Sequence, residues 1–274
     1  MKKTLLLILA CSLLAACATS PTGRRQLMLI SPDAAIVQSK QAYLSTVSDL
    51  DKENKLLDDP KLADRVATIT GRLVTEAIAL YPNTANWEWS VAIIDDPETV
   101  NAWCMAGGRM AVYTGLFDKL KLTDAEFAQI MGHEISHALA NHTAERMSRA
   151  MATSIGVLAI GVASDRPAAT MAGGAVAAKL ALELPNSRTA ESEADKIGME
   201  LAVRAGYDPD AAVTLWQKMG SLGGSKPPQF LSTHPAPANR EAQLAAMIPE
   251  MRKLNPTGKL ARVTAIEIVR DVTP

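Results

Sequence analysis

The chain has 274 residues, 28 Lys and Arg against 29 Asp and Glu for a net charge of −1, 48% hydrophobic residues and three cysteines. So even a balance, with no basic stripe, offers nothing to a nucleic acid. Three cysteines cannot build a disulfide framework, and the length suits one domain with a sizeable core.

At the amino terminus Lys2 and Lys3 precede the apolar run Leu5 to Ala10, and small residues follow to Ala16. This is the pattern of a secretory signal and not of a spanning helix. Leu14-Ala15-Ala16-Cys17 resembles a bacterial lipobox, so residues 1–16 are expected to be removed and Cys17 acylated. Cys11, after Leu9-Ala10, would leave too short an apolar core. Ala18 in place of Asp points onward to the periplasmic face of the outer membrane. Several acyl chains exceed the regime of marginal, reversible binding, so the anchor should be stable. Cys104 is then the one remaining thiol, read as a small core residue. Residues 17–31 are expected to be an acylated tether, 32–252 the folded domain, and 253–274 an extension with no assigned role.

Ser31 caps a helix from Pro32, and a second runs from about Pro60 to Leu80. Trp87 to Ile94 alternates like a strand, Gly107-Gly108 makes a turn, and Arg109 to Tyr113 is a second strand. Thr123 and Glu126 form a capping box, after which Phe127, Ile130, Met131, Ile135 and Ala138 recur at helical spacing. Inside that helix stands His133-Glu134-Ile135-Ser136-His137. Two His four apart lie about 40° from each other around the axis, so both imidazoles can converge on one Zn²⁺. Glu134, beside the first ligand, can reach water held there as a general base. His142, five residues beyond His137, is rotated about 140° from it and cannot join from the same helix.

Met151 to Ala163 and Ala168 to Leu184 are apolar runs split by Asp165-Arg166-Pro167. The first is too short to cross a bilayer and the second carries Lys179 and Glu183, so they read as a helical pair over the cleft. Another helix opens at Ser187 and ends at Gly206. Glu191 and Asp195 share one face of it, whereas Glu193 points away. A catalytic zinc site takes three protein ligands, and Glu191 is the economical third, with Asp195 one turn on hydrogen-bonding a ligand His. Helices are expected over Asp210 to Met219 and after Pro237. His234 lies between a Gly/Pro-rich loop and Pro235-Ala236-Pro237, which hold it outside regular structure. The fold class is α+β, mostly helical, with a small sheet beside the metal.

H-E-I-S-H with the later S-R-T-A-E-S-E-A-D resembles the minimal gluzincin zinc metallopeptidases, the family of HtpX, BepA, LoiP, the CaaX-prenyl proteases and Oma-type proteases. Asn101 to Leu116 (N-A-W-C-M-A-G-G-R-M-A-V-Y-T-G-L) is similar to a second family block, except that Ala106 stands where many relatives have Pro. Ser232-Thr233-His234-Pro235 with Arg240 is similar to a third. The resemblance implies a zincin-like domain, one Zn²⁺ on His133, His137 and Glu191, Glu134 as base and Asp195 behind the ligands. For His234 it implies either a removable fourth ligand or a donor to the developing oxyanion.

The expected activity is zinc-dependent endopeptidase action on extended or misfolded envelope proteins. The alternative is a non-catalytic lipoprotein chaperone or assembly factor with a latched or structural zinc. An edge strand beside the metal can pair with an extended peptide, and Arg109, Met110, Ala111, Val112 and Tyr113 are the candidate substrate rail.

Overall fold

The structure is a computed structural model that describes residues 17–163, 187–222, 228–235 and 239–271. Residues 1–16, with the signal, and the apolar run Ala168 to Leu184 lie outside the described residues. The chain divides into two compact units, one holding residues 17–37 and 140–163, the other the remaining described residues from Gln38 to Leu139 and beyond Pro185.

In the smaller unit Cys17–Thr19 (β1) pairs antiparallel with Arg25–Leu27 (β2). The expected tether is therefore folded. Arg24 and Gln26 donate to the buried carboxylate of Glu145 at 2.6–2.9 Å, and Gln26 also donates to the Ala140 carbonyl. Glu145 stands in the first turn of His142–Ala163, the fifth helix (α5). The preceding helix stops at Leu139, with Asn141 in the left-handed region (φ 55°), so His142 opens a new helix and does not prolong the old one.

Pro32–Lys52 (α1) starts where Ser31 Oγ accepts the Ala34 N–H, and Pro60–Leu80 (α2) where Asp59 accepts the Lys61 and Leu62 N–H groups. Both starts are side-chain caps on otherwise orphan donors. The larger unit's sheet has Ser90–Ile94 (β3), Ala102–Met105 (β4), Arg109–Tyr113 (β5) and Glu267–Val269 (β6), in the order β4-β5-β3-β6. β3 is buried along its whole length because parallel neighbours flank it, with Val91 opposite both Met110 and Ile268. Trp87 to Trp89 precede the strand instead of belonging to it.

The order corrects one expectation. β5 is an inner strand, paired with β3 on one side and antiparallel with β4 on the other. Its peptide groups are spent on those ladders, so Arg109, Met110, Ala111, Val112 and Tyr113 cannot serve as an edge for substrate. The edge strand on this side of the sheet is β4.

After β5 come Thr114–Leu120 (α3), Asp124–Leu139 (α4), α5, Arg188–Arg204 (α6), Asp210–Ser221 (α7), the short Gln229–Thr233 (α8) and Arg240–Arg252 (α9). Every α4 side chain from Glu126 to Leu139 is buried, which makes it the central helix of the larger unit. Residues 255–264 form a strap ahead of β6. Asn255 Nδ2 donates to the Val203 and Arg204 carbonyls at the end of α6, Ala261 N–H to Ala205, and Thr264 N–H to Gly71 in α2. A Cβ at Gly71 would lie 2.4 Å from the Thr264 carbonyl oxygen, so only glycine lets the strap close there. Residues 255–269 are thus part of the sheet and its closure. No helix among the described residues is long and apolar enough to cross a membrane.

Candidate metal centre

Both turns of the capping box are present at α4: Glu126 accepts the Thr123 N–H at 2.8 Å and Thr123 Oγ1 accepts the Glu126 N–H at 3.2 Å. The helix it starts brings His133 Nε2 and His137 Nε2 to 3.1 Å. α6 is capped by Ser187, whose Oγ accepts the Ala190 N–H, and this sets Glu191 in its first turn. Glu191 is fully buried, with Oε2 3.2 Å from His133 Nε2 and Oε1 3.5 Å from His137 Nε2. Glu193 does not join this cluster.

The two helices cross with backbones nearly touching. A Cβ on Gly132 would fall 2.7 Å from the Gly198 carbonyl oxygen, and one on Gly198 2.6 Å from the His133 nitrogen. Glycine inside a helix costs about 0.5–1 kcal/mol relative to alanine. Here that cost is offset by bringing Glu191 and Asp195 within reach of His133.

Asp195 Oδ1 lies 3.0 Å from His133 Nδ1 and accepts its proton, which leaves Nε2 as the nitrogen facing the cluster. Asp195 is in turn held by the guanidinium of Arg240, at the start of α9, which lies 3.6 Å from Glu191 and stacks 3.6 Å over the Trp216 ring. In the sequence Arg240 stands only as one position of a family-like block. Its buried position between an aromatic face and two carboxylates could not be read from spacing.

His234 also joins. It caps the end of α8, with Nδ1 3.2 Å from Glu191 Oε1 and 3.3 Å from His133 Nε2, and Nε2 3.4 Å from Glu134 Oε1. The ligand atoms of His133, His137, Glu191 and His234 all lie within 4.8 Å of one another. Four donors about 2.0–2.2 Å from one ion in a tetrahedron stand roughly 3.3–3.6 Å apart. Separations of 3.1–3.5 Å between neighbouring donors are close to that edge.

The electrostatics agree. Burial alone would push the His133 imidazole down, but the bond to Asp195 and the Glu191 carboxylate beside it outweigh burial and lift the ring to about 9. Burial would raise Glu191, yet the adjacent His133 and the bond with His234 hold it well below the ordinary carboxylate range. The carboxylates make this a place where positive charge is stable. Among the described residues, buried Glu191 Oε2 and Glu134 Oε1 have no hydrogen-bond partner. A divalent cation with nitrogen and oxygen preferences, as zinc has, fits this donor set.

Neither the β5 side chains nor Cys17 belong to the cluster. Arg109 is buried and paired with Glu88, and Cys17 is exposed on β1 in the smaller unit. Cys104, on β4, is nearer: burial and then the charge of Glu134 push its thiol well above the usual range.

A helix-borne H-E-x-x-H and a glutamate from a second helix, beside the edge strand of a small sheet, define a gluzincin-type metallopeptidase. The chain belongs to peptidase family M48, whose model matches residues 60–248. It is 36% identical to mitochondrial metalloendopeptidase OMA1 of Arabidopsis thaliana over 73% of this chain and 39% of that protein. Bovine mitochondrial metalloendopeptidase OMA1 is 30% identical over 86% of this chain and 46% of its own length. The beta-barrel assembly-enhancing protease of Escherichia coli K12 is 31% identical over 73% and 41%. The chain thus spans less than half the length of these three relatives.

Proposed function

We propose that this chain is a zinc-dependent endopeptidase that cleaves extended or misfolded proteins of a bacterial envelope, anchored by an acylated Cys17 at the periplasmic face of the outer membrane. The observation that carries the activity is the meeting of His133, His137 and Glu191, with Glu134 beside them. The lipobox-like Leu14-Ala15-Ala16-Cys17 and the exposure of Cys17 support the anchor. The Escherichia coli relative's name, which ties it to β-barrel assembly, supports an envelope role, whereas the OMA1 relatives are mitochondrial.

Zinc held by His133, His137 and Glu191 would supply Lewis acidity to the scissile carbonyl and acidify water. Glu134 takes the proton from the attacking water and returns it to the leaving amine. Asp195, fixed by Arg240, keeps His133 in the tautomer that turns Nε2 to the cluster. An extended substrate pairing with the edge strand would be read by its backbone and little by its side chains. A catalytic site keeps one position open, and His234 fills a fourth place in the cluster, so we read it as a latch that must withdraw.

Glu134→Gln keeps size and helix propensity while removing the proton acceptor. Zinc content should stay at the parent level and casein cleavage should fall by about two orders of magnitude or more. Full cleavage by that variant, or by chelated parent, would move the chain into the binding class, as a chaperone or assembly factor.

A further inference from the structure

The β1–β2 hairpin has two unlike faces. Directly opposed residues of an antiparallel pair put their side chains on the same side, and successive residues alternate. Ala18 and Gln26 form one such pair, and Gln26 is buried against α5, donating to Glu145 and to the Ala140 carbonyl. Cys17 with Leu27, and Thr19 with Arg25, therefore share the other face, turned away from α5. Cys17, Thr19 and Arg25 are exposed there, and Leu27 is half-buried.

The segment runs along α5 in one sense. Arg24 and Gln26 meet Glu145, and further on the Ile30 N–H donates to the buried Ser148 Oγ at 2.9 Å. Around the helix axis Ile155 lies about 20° from Ser148, and Met151 about 60°. Both thus stand on the face of α5 that carries this segment one to two turns earlier. Past Ile30 that face emerges, and Met151 and Ile155 are each 40% exposed. Thr153 is also exposed but lies about 160° from Ile155, on the opposite side of the helix. Cys17, Leu27, Met151 and Ile155 all point in the direction that leads from α5 out through the hairpin.

We propose that the outward face of the hairpin and the Met151–Ile155 stripe of α5 form one surface that lies on a lipid bilayer. The inference rests on the acylation of Cys17 proposed above. Acyl chains at Cys17 would attach to the first residue of a strand, so no slack separates the lipid from the fold. Leu27, about 5 Å across the ladder, then shares the headgroup layer with Cys17. Arg25 on the same face offers a cation to anionic headgroups. Met151 and Ile155 add apolar contact along a helix that rests on the bilayer, since no described helix is long and apolar enough to cross it. Alone, so small a surface would bind lipid weakly. Attachment at Cys17 makes the contact intramolecular, so a weak contact stays occupied. The smaller unit is held against the headgroups and does not swing on a tether.

A photoreactive benzophenone side chain placed at Leu27, Ile155 or Thr153, one position at a time, tests this through lipid adducts read by mass. Two preparations of the mature chain are compared in vesicles of zwitterionic phospholipid with about a quarter anionic phospholipid. One is processed in a bacterial envelope. The other begins at Cys17 and is coupled through that exposed thiol to a maleimide-bearing lipid, Cys104 being buried. Adducts from Leu27 and Ile155 should exceed those from Thr153 by roughly fivefold or more in each lipid-attached preparation. Ile155 adducts no richer than those from Thr153 overturn the surface, as do Ile155 adducts to other parts of the chain in place of lipid. If Cys17 of the envelope preparation carries no acyl group while the maleimide-coupled chain labels lipid from Ile155, the anchor reading fails and the surface stands. Acylated Cys17 without lipid labelling from Ile155 keeps the anchor and rejects the surface.

Discussion

Three of the four clustered donors stand on long helices and the fourth does not. His133 and His137 ride on a helix with a full capping box, and Glu191 on one capped by Ser187 and pressed backbone to backbone against the first. His234 ends a five-residue helix fastened by one amide and one ring stack. The difference teaches a division of labour. On the proposed reading, the donors that hold the cation sit on long packed helices, and the one read as a latch sits at the end of a short one.

The largest break in that picture comes from the rigid side. Glu191→Gln should weaken zinc binding by more than about a hundredfold, the upper end for groups that only support a ligand. Glu193→Gln should leave zinc content unchanged, and metal analysis after dialysis against a weak chelator separates the two. Equal loss in both would sink the assignment.

Gly198→Ala puts a Cβ 2.6 Å from the His133 nitrogen. It should cost about 3 kcal/mol in denaturant unfolding, at the high end for overpacking. Gly220, with nothing within 4 Å of its would-be Cβ, is the control. Gly220→Ala should be neutral or stabilising by about 0.5–1 kcal/mol. A Gly198→Ala protein as stable as the parent would show that the crossing is looser than its geometry.

On the exchangeable side, His234→Ala should keep its metal and raise basal casein cleavage about tenfold, as expected if some nine molecules in ten rest shut. A fall of similar size would assign His234 to the oxyanion, and no change would leave it a packing residue.

The smallest effect tests the cap. Burial would raise the Glu126 carboxyl, but the Lys218 bond and those from Thr123 and Thr214 hold it below its ordinary value. Its contribution is therefore complete above the ordinary carboxylate range and is lost as pH falls through the depressed value. Glu126→Gln should cost about 1 kcal/mol at neutral pH. The gap from parent should close in acid, and a gap constant with pH would remove the charge from the explanation.

What could be read in the sequence follows the same division. Helix starts at Pro32, Pro60, Asp124 and Arg188 were legible because caps are local chemistry within four residues. The HExxH pair and the Glu191–Asp195 face were legible because helical rotation is fixed. Sheet order was not: which neighbours flank Arg109 to Tyr113 depends on pairings far along the chain, and β4 and β6 are too short to announce themselves. Gly132 and Gly198 carry a signal of their own, since glycine inside a well-capped helix usually has a packing reason. Phe230 carries no such signal and Arg240 only its place in a family-like block, because their contacts arise only once α7, α8 and α9 converge.

The pairing of Val91 with Ile268 joins segments from the two halves of the sequence, and the strap that leads to it crosses α2 and α6 on the way. Contacts of such sequence separation carry a large loop-closure cost before they return any stability, which slows folding. The sheet beside the metal centre cannot close until residue 269 has been synthesised, and a nascent chain shorter than that keeps one side of β3 unpaired.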